Sequence, residues 1–327
     1  MKAFQKILFL LLLPAVVCAQ ADSTLPGPLV DTSWLAAKKD AVVILDVRKD
    51  LKSFTGKPSY KIDKKTGKQK LEKVAGHIPG ATLVNYKKIR ATRVIDGQKI
   101  EKLIPEKADF EALMQSAGVN SDSAVVIVSK GQDNLDITMA TRLYWQMKYF
   151  GHHDLAILDG GVAQWLRDGH KTAGEPSSAE ETKGNWTAKE QRDEMLATTP
   201  EVMDAVKSGN VQLVDNRPLS QYLGLYKKDY VYAKGHLPGA KSFPNELMTG
   251  PKNDAKFSST RELIALSDAM GIDPNKPSIT YCNSGHLASG GWFIMHELMG
   301  NKQVQLYDGS LHEYTKASEN LSTMMLE

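Results

Sequence analysis

Short apolar runs, many of them β-branched, alternate along this chain with longer stretches of mixed polarity. The apolar runs fall at residues 41–45, 124–128, 211–214 and 279–281. Helix-length stretches between and after them are Ala108–Ala117, Thr138–Phe150 and Ser259–Met270. Buried strands that alternate with helices are typical of βαβ units. The pattern predicts an α/β fold built on mostly parallel sheets with helices on both faces.

The same series of elements occurs twice. Asp46-Val47-Arg48 in the first half has its counterpart in Asp215-Asn216-Arg217 in the second, and 76–81 (GHIPGA) is matched by 235–240 (GHLPGA). Each half also closes with a turn, at 158–161 and 307–310. A repeat of this length indicates two homologous domains that differ in loop length.

Breaks in the pattern set the boundaries. We expect a first domain over 22–173, a linker over 174–190, where Gly174, Pro176 and a run of charges interrupt the pattern, and a second domain over 191–327. The lysine-rich stretch 56–73 predicts a solvated hairpin or loop, with a binding patch as the alternative.

Composition narrows the classes of function. Of 327 residues, 42% are hydrophobic, which is enough for a sizeable core and excludes a disordered chain. Lys plus Arg number 41 against 38 for Asp plus Glu, a formal net charge of +3. Because positive and negative charges nearly balance, nucleic acid is not expected as a partner. Anionic small molecules remain possible ligands.

The first residues have the pattern of an export signal. Lys2 and Lys6 precede the apolar run 7–13, and small residues follow. This predicts a secretory signal peptide over 1–21, cleaved after Ala19 or Ala21, and an exported, periplasmic protein. A lipoprotein acylated on Cys18 is disfavoured because bulky valines precede that cysteine. No later segment is apolar enough to span a membrane, so none is expected in the mature protein.

Cysteine counting directs attention to one residue. The two cysteines are Cys18 and Cys282, and Cys18 is expected to leave with the signal peptide. A lone thiol in an exported protein is either a buried small hydrophobe or a reactive group. A metal site is not expected, because the histidines lack ligand-like spacing to this cysteine.

The surroundings of Cys282 favour reactivity. An apolar strand delivers the cysteine, five residues form a tight turn, and a helix is predicted to begin at about Ala288. Ligands of open α/β sheets collect at the carboxyl ends of strands, and the amides and positive end of a helix favour an anion there. We therefore expect a thiolate that acts as a nucleophile.

Several ordered motifs resemble one known family. The stretch 232–240 (YAKGHLPGA), the Asp215-Asn216-Arg217 step, the Cys282 loop and the Asp308-Gly309-Ser310 turn are similar to those of the rhodanese family. The resemblance covers nearly the whole mature chain and implies two tandem rhodanese-like domains. The first would lack the catalytic cysteine, since Ser129 stands in its place.

The resemblance implies a sulfurtransferase. Cys282 would take a sulfane sulfur from thiosulfate or a related donor as a persulfide and pass it to cyanide or a thiol. No metal or organic cofactor would be needed. The residues expected to bind substrate are Asn283, Ser284, Gly285, His286, Leu287, Ala288 and Arg217. Amides of the loop would stabilise the anionic sulfur, and no dedicated general base is expected because His286 is predicted to point to solvent.

Departures from the family leave the substrate open. Neutral Asn283 and Ser284 follow the cysteine where thiosulfate-selective members have cations, and Gln221 replaces a frequent arginine. His286, Arg217 or lysines could substitute. The alternatives are a 3-mercaptopyruvate sulfurtransferase, or a persulfide or chalcogen carrier for an unidentified protein partner. A phosphatase is disfavoured, because Ala288 stands where the phosphate-binding arginine would be.

Overall fold

The structure is a computed structural model that describes residues 25–175, 183–189, 191–250, 255–318 and 320–324. The predicted signal peptide, 1–21, lies outside the described residues, as do 176–182 and 190 of the predicted linker. In the part of the chain that is described, no helix is long and apolar enough to cross a membrane.

Strands and helices follow one another as the sequence pattern predicts. The strands are β1 (Leu29–Val30), β2 (Val43–Arg48), β3 (Ser59–Ile62), β4 (Gln69–Lys73), β5 (Thr82–Asn85), β6 (Ala91–Ile95), β7 (Gln98–Leu103), β8 (Val125–Ser129), β9 (Leu155–Leu158), β10 (Leu196–Ala197), β11 (Gln212–Asp215), β12 (Lys241–Ser242), β13 (Ser278–Tyr281) and β14 (Val304–Tyr307). The helices are α1 (Thr32–Lys38), α2 (Lys107–Ser116), α3 (Asn134–Tyr149), α4 (Gly161–Arg167), α5 (Thr199–Ser208), α6 (Leu219–Tyr222), α7 (Thr260–Ala269), α8 (His286–Trp292) and α9 (Ser310–Ala317). A π-helical segment, Phe293–Leu298, continues α8.

Two five-stranded parallel sheets form the framework. Their strand orders are β1-β9-β8-β2-β5 and β10-β14-β13-β11-β12, so the second repeats the topology of the first. On β8, Val125 and Ile127 pack in one cluster with α2 and α3, while Val126 and Val128 pack in another with α1 and α4. The predicted α/β fold, with a mostly parallel sheet used twice and helices on both faces, is confirmed.

Local sequence signals explain where the predicted helices begin. Ser259 and Glu262 form a capping box at the start of α7, so this helix begins beside the predicted position. Helix α3 begins four residues before the predicted Thr138. The cause is Asp133, whose carboxylate accepts hydrogen bonds from the amides of Leu135 and Asp136 and so fixes an earlier start.

Two antiparallel hairpins project from the first domain. The pair β3–β4 covers the lysine-rich stretch and is largely exposed, which confirms the predicted hairpin. The pair β6–β7 was not predicted. Its two-residue turn is formed by Asp96 and Gly97, whose φ angles of 50° and 75° both lie in the left-handed region, as a two-residue hairpin turn of this kind requires.

The two sheets share one core. Leu143 of α3 lies in the same buried cluster as Trp292 of α8, and the rings of Tyr144 and Phe293 meet edge to face at 5.0 Å. The predicted linker also contributes, because Trp186 is buried against Phe110 of α2. This packing places the first domain beside the carboxyl ends of the second sheet's strands.

Candidate active site

The cysteine loop is short and depends on one glycine. Cys282 directly follows β13, and the helix begins at His286 rather than at the predicted Ala288. Gly285 caps α8 with a φ of 70°, and a Cβ there would lie 2.5 Å from Asp308 Oδ1 and from Arg142 Nη1. No other residue could turn so tightly here. The five-residue turn predicted from the sequence is therefore a turn of three residues, 283–285.

Ser310 organises the amides of this loop. Its Oγ accepts hydrogen bonds from Cys282 N at 3.0 Å and Gly285 N at 3.1 Å, and donates to Tyr307 O. Ser310 adopts a φ of 49°, a costly conformation for a residue with a Cβ. Of the amides expected to face the sulfur, Ser284 N does so, at 3.5 Å from Cys282 Sγ, whereas Gly285 N is taken by Ser310.

The thiol lies in a cavity of about 700 Å³ between the two domains. The lining residues are Lys49, Tyr86, Lys87, Arg90, Ala91, Thr92, Glu101, Lys102, Leu135, Met139, Lys228, Tyr230, Cys282, Asn283, Ser284, His286 and Leu287. Of the predicted substrate-binding residues, Asn283, Ser284, His286 and Leu287 therefore meet at the cavity with Cys282. Gly285 and Ala288 do not line the cavity.

Arg217 does not take the predicted place. Its guanidinium is fully buried, binds the carboxylate of Asp215, donates to Gly235 O and does not line the cavity. Arg48, its counterpart in the domain without a cysteine, makes the same contacts with Asp46 and Gly76 O. Because a buried arginine needs its carboxylate, the expectation that Arg217 binds substrate is corrected. In each domain the Asp–Arg pair thus holds the Gly-His turn, through the carbonyl oxygen of Gly76 or Gly235.

His286 does not point to solvent, as the sequence suggested. Its Nε2 is 3.0 Å from the hydroxyl of Thr138 on α3, and its ring packs against Tyr86. Desolvation, reinforced by the charges of Arg90 and Arg142, lowers the pKa of His286 to about 3. The imidazole is neutral at physiological pH, so it cannot replace the missing cations of the loop.

The first domain supplies cations that sequence reasoning did not assign. Arg90 donates to Ser284 O at 2.6 Å and Ser284 Oγ at 3.0 Å, and also to Lys102 O. The ammonium of Lys102 lies 3.1 Å from the ring centroid of Tyr230 in the second domain. The Asp96-Gly97 pair between alternating residues was a hairpin signal that could have placed these residues together.

A buried ion pair fixes the two domains to each other at the loop. Arg142 of α3 lies 2.6 Å from Asp308 Oδ1 and donates to Gly285 O, while Asp308 Oδ2 accepts from Ile104 N. Both charged side chains are buried. A buried charge is tolerated only beside its partner, so this contact specifies how the domains meet.

Comparison with known proteins agrees with this geometry. The rhodanese-like domain family matches this chain twice, over residues 31–168 and 198–317. The thiosulfate sulfurtransferase of Bos taurus is 29% identical over 292 residues, which are 88% of this chain and 91% of that protein. The sulfur carrier protein TtuD of Thermus thermophilus is 30% identical over 250 residues, 73% of this chain and 82% of that one.

A solved structure extends the similarity to three dimensions. SseA of Escherichia coli, described as a 3-mercaptopyruvate sulfotransferase with the rhodanese fold, is 25% identical. It superposes with a TM-score of 0.66 over 87% of this chain and 98% of its own. With two matched domains that cover well over half of its length, the chain belongs to the rhodanese family of sulfurtransferases.

Proposed function

We propose that this protein transfers a sulfane sulfur from an anionic donor through a persulfide on Cys282. The Cys282 thiolate attacks the outer sulfur of the donor, a bond forms between Sγ and that sulfur, and the donor's bond to it breaks with its electron pair. With thiosulfate the leaving group is sulfite. A thiol or cyanide then attacks the outer persulfide sulfur and regenerates the thiolate.

The observation that carries this proposal is the position of Cys282 in the cavity. Ser284 N lies 3.5 Å from the sulfur, and the first-turn amides of α8 have no acceptor within the helix. Gly285 offers no capping side chain, so these donors remain for an anionic sulfur. Asn283, Ser284, His286 and Leu287 form the wall that a bound donor would contact.

Intact mass tests the mechanism. After incubation with donor and gel filtration, the parent protein should gain one sulfur atom per chain, and Cys282→Ser should gain none. A matched Ser129→Ala variant should load like the parent. A Cys282→Ser protein that still transferred sulfur to cyanide would refute the persulfide.

The donor class is that of thiosulfate and related sulfane-sulfur compounds, with 3-mercaptopyruvate as the alternative that the neutral loop favours. Thiosulfate carries its two charges beside the transferred sulfur, whereas 3-mercaptopyruvate carries a carboxylate farther away. Specificity constants for the two donors, measured at matched concentrations with cyanide and with a dithiol, decide between them.

A second candidate function is that of a persulfide carrier for one protein partner. It is favoured by the neutral residues after Cys282 and by the similarity to a protein named as a sulfur carrier. A carrier would load one sulfur stoichiometrically but turn over slowly with small acceptors. Steady-state rates compared with the single-turnover loading rate separate the two functions.

We propose further that the protein is exported to the periplasm. The support is the sequence 1–21, in which two lysines precede an apolar run and small residues. Cell fractionation, with the amino-terminal residue of the recovered protein determined, tests this. Recovery of a chain that still begins at Met1 from the cytoplasm would contradict it.

A further inference from the structure

The charge of the cavity comes mainly from the domain that lacks the cysteine. Among the lining residues, Lys49, Lys87, Arg90 and Lys102 belong to the first domain and Lys228 to the second. Glu101 is the acidic residue of that lining, so five cations less one anion give a net charge of +4. The cavity therefore attracts an anionic ligand.

Lys102 is held in place at an energetic cost. Its φ of 71° lies in the left-handed region, which residues with a Cβ adopt at a cost of about 1–2 kcal/mol. Arg90 donates twice to its carbonyl oxygen, and this directs the chain so that the ammonium lies across the cavity over Tyr230. Strain of this kind at a cavity wall indicates a functional position.

A buried polar atom in the same wall also lacks a partner. The hydroxyl of Tyr86 is buried and has no hydrogen-bond partner among the described residues. Burial, opposed by the charge of Arg90, raises the pKa of Tyr86 to about 12, so the hydroxyl stays protonated and can donate. An acceptor atom of a bound ligand would satisfy it.

The size and walls of the cavity point to an organic ligand. Thiosulfate has five heavy atoms, whereas about 700 Å³ is within the range that accommodates drug-sized molecules. Leu135, Met139 and Leu287 supply apolar surface to the same lining. A carbon skeleton would pack there, with its charge directed at the first domain.

We propose that the donor is an organic persulfide bearing a carboxylate, and that Lys102 is the residue that recognises this carboxylate. The proposal rests on the persulfide mechanism above and names its substrate class. Cys282 attacks the outer sulfur of R–S–S⁻, the S–S bond of the donor breaks, and the thiolate R–S⁻ leaves with the electron pair and is protonated by solvent. The transferred sulfur keeps its oxidation state, so no oxidant is needed.

Two donors of similar size but different charge test the role of Lys102. Lys102→Met should lower kcat/KM about 5- to 30-fold for the persulfide of 3-mercaptopropionate, because a charge-assisted contact is lost. For the persulfide of 2-mercaptoethanol, whose carbon chain carries a hydroxyl in place of the carboxylate, the change should be less than about twofold. Lys102→Arg should restore the preference for the charged donor. The control Lys99→Met, in the same strand but outside the cavity, should behave like the parent.

Several results would overturn the proposal. These are an equal loss for both donors, no loss for either, the same loss in Lys99→Met, or a parent protein that uses thiosulfate better than the charged persulfide. If Lys102→Met does not fold, Lys102→Gly removes the same charge and suits the left-handed backbone. Sulfur loading of the parent, measured by mass with the donor that lacks a carboxylate, is the separate check. No loading refutes the persulfide mechanism, whereas loading without charge discrimination refutes the role of Lys102.

Discussion

The loop after β8 and the loop after β13 leave equivalent strands of the two sheets, with Ser129 where the other has Cys282. In the first loop the carboxylate of Asp133 accepts from the amides of Leu135 and Asp136, and that of Asp136 accepts from Gln132 N. In the second loop Gly285 caps the helix without a side chain. The first helix is thus capped by the protein's own carboxylate, and the second keeps its amides for a bound anion.

Space differs between the two loops as much as charge does. A Cβ on Gly131 would lie 2.1 Å from Gly160 O, so backbone fills the region beside Ser129. Beside Cys282 there is a cavity of about 700 Å³. Besides the cysteine, the second loop therefore has helix amides without a side-chain cap and open space, and we expect both to be required for sulfur transfer.

Moving the cysteine is the strongest test of this comparison, with complete loss of transfer expected. In a protein that carries both Ser129→Cys and Cys282→Ser, the thiol would stand beside a capped helix and a filled loop, so it should gain no sulfur from donor. Intact mass measures the gain. Loading of this double variant at a rate near that of the parent would show that the cysteine alone confers activity.

The next largest effect is expected from Arg142 and Asp308, the buried ion pair that joins the two domains. Arg142→Met leaves Asp308 buried without its partner and should lower the free energy of unfolding by about 3–5 kcal/mol. The exposed pair Arg93–Glu106 provides the control, since Arg93→Met should cost less than about 1 kcal/mol. Denaturant unfolding measures both. Equal losses would mean that the buried pair has no special role.

Ser310 allows a smaller and more local test, because Gly161 occupies its place in the first domain. Ser310→Ala leaves the buried amides of Cys282 and Gly285 without an acceptor and should destabilise the protein by about 1–3 kcal/mol. Ser310→Gly loses the same hydroxyl but relieves the left-handed backbone, so it should be more stable than Ser310→Ala by about 1 kcal/mol. Both should transfer sulfur more slowly than the parent. Unchanged rates in both would show that the hydroxyl does not organise the loop.

At neutral pH the smallest effect is that of His286, because its contribution to stability changes only as the pH falls. Its pKa of about 3 in the folded protein lies below the usual 6.5, so the unfolded chain binds one proton more between these values. Stability from the neutral imidazole is therefore complete above about pH 6.5 and is lost as pH falls toward 3, by at most about 1.4 kcal/mol per pH unit. His286→Gln should weaken this acid sensitivity and leave the alkaline range unchanged. An identical pH dependence of unfolding in both proteins would contradict the shifted pKa.

The fold was readable from the sequence because it follows from periodic apolar runs and caps. The repeat predicted both sheets, and the Ser259 capping box marks the start of α7. The helix at the cysteine was placed two residues late, because only the structure shows Gly285 in the left-handed conformation. Local propensity does not reveal such a constraint, which arises from Arg142 and Asp308 packing against the glycine.

The chemistry of the site was readable only in part. Cys282 could be singled out by counting, and the resemblance placed its loop. The cations could not be found this way, because Arg90 and Lys102 reach the cavity only when the two domains pack together. Arg90 and Ser284, for example, are 194 positions apart in the sequence. The contact of His286 with Thr138 was missed for the same reason, whereas Arg217 was misjudged because its burial beside Asp215 is not visible in the sequence. Whether an arginine or histidine can contact substrate depends on its burial, which cannot be read from the sequence.

The two halves of the chain share one cavity, so their residues affect the same site in different ways. Arg90 of the first half donates a hydrogen bond to Ser284 of the second, so the two halves of one chain have different parts in the same cavity. The second half carries the nucleophile, and the first half carries most of the charge. The half without a thiol supplies most of the charged residues that line the approach to the thiol of the other half. Substitutions among these first-half residues change the charge of the cavity and leave the residues that surround Cys282 in the second half as they are.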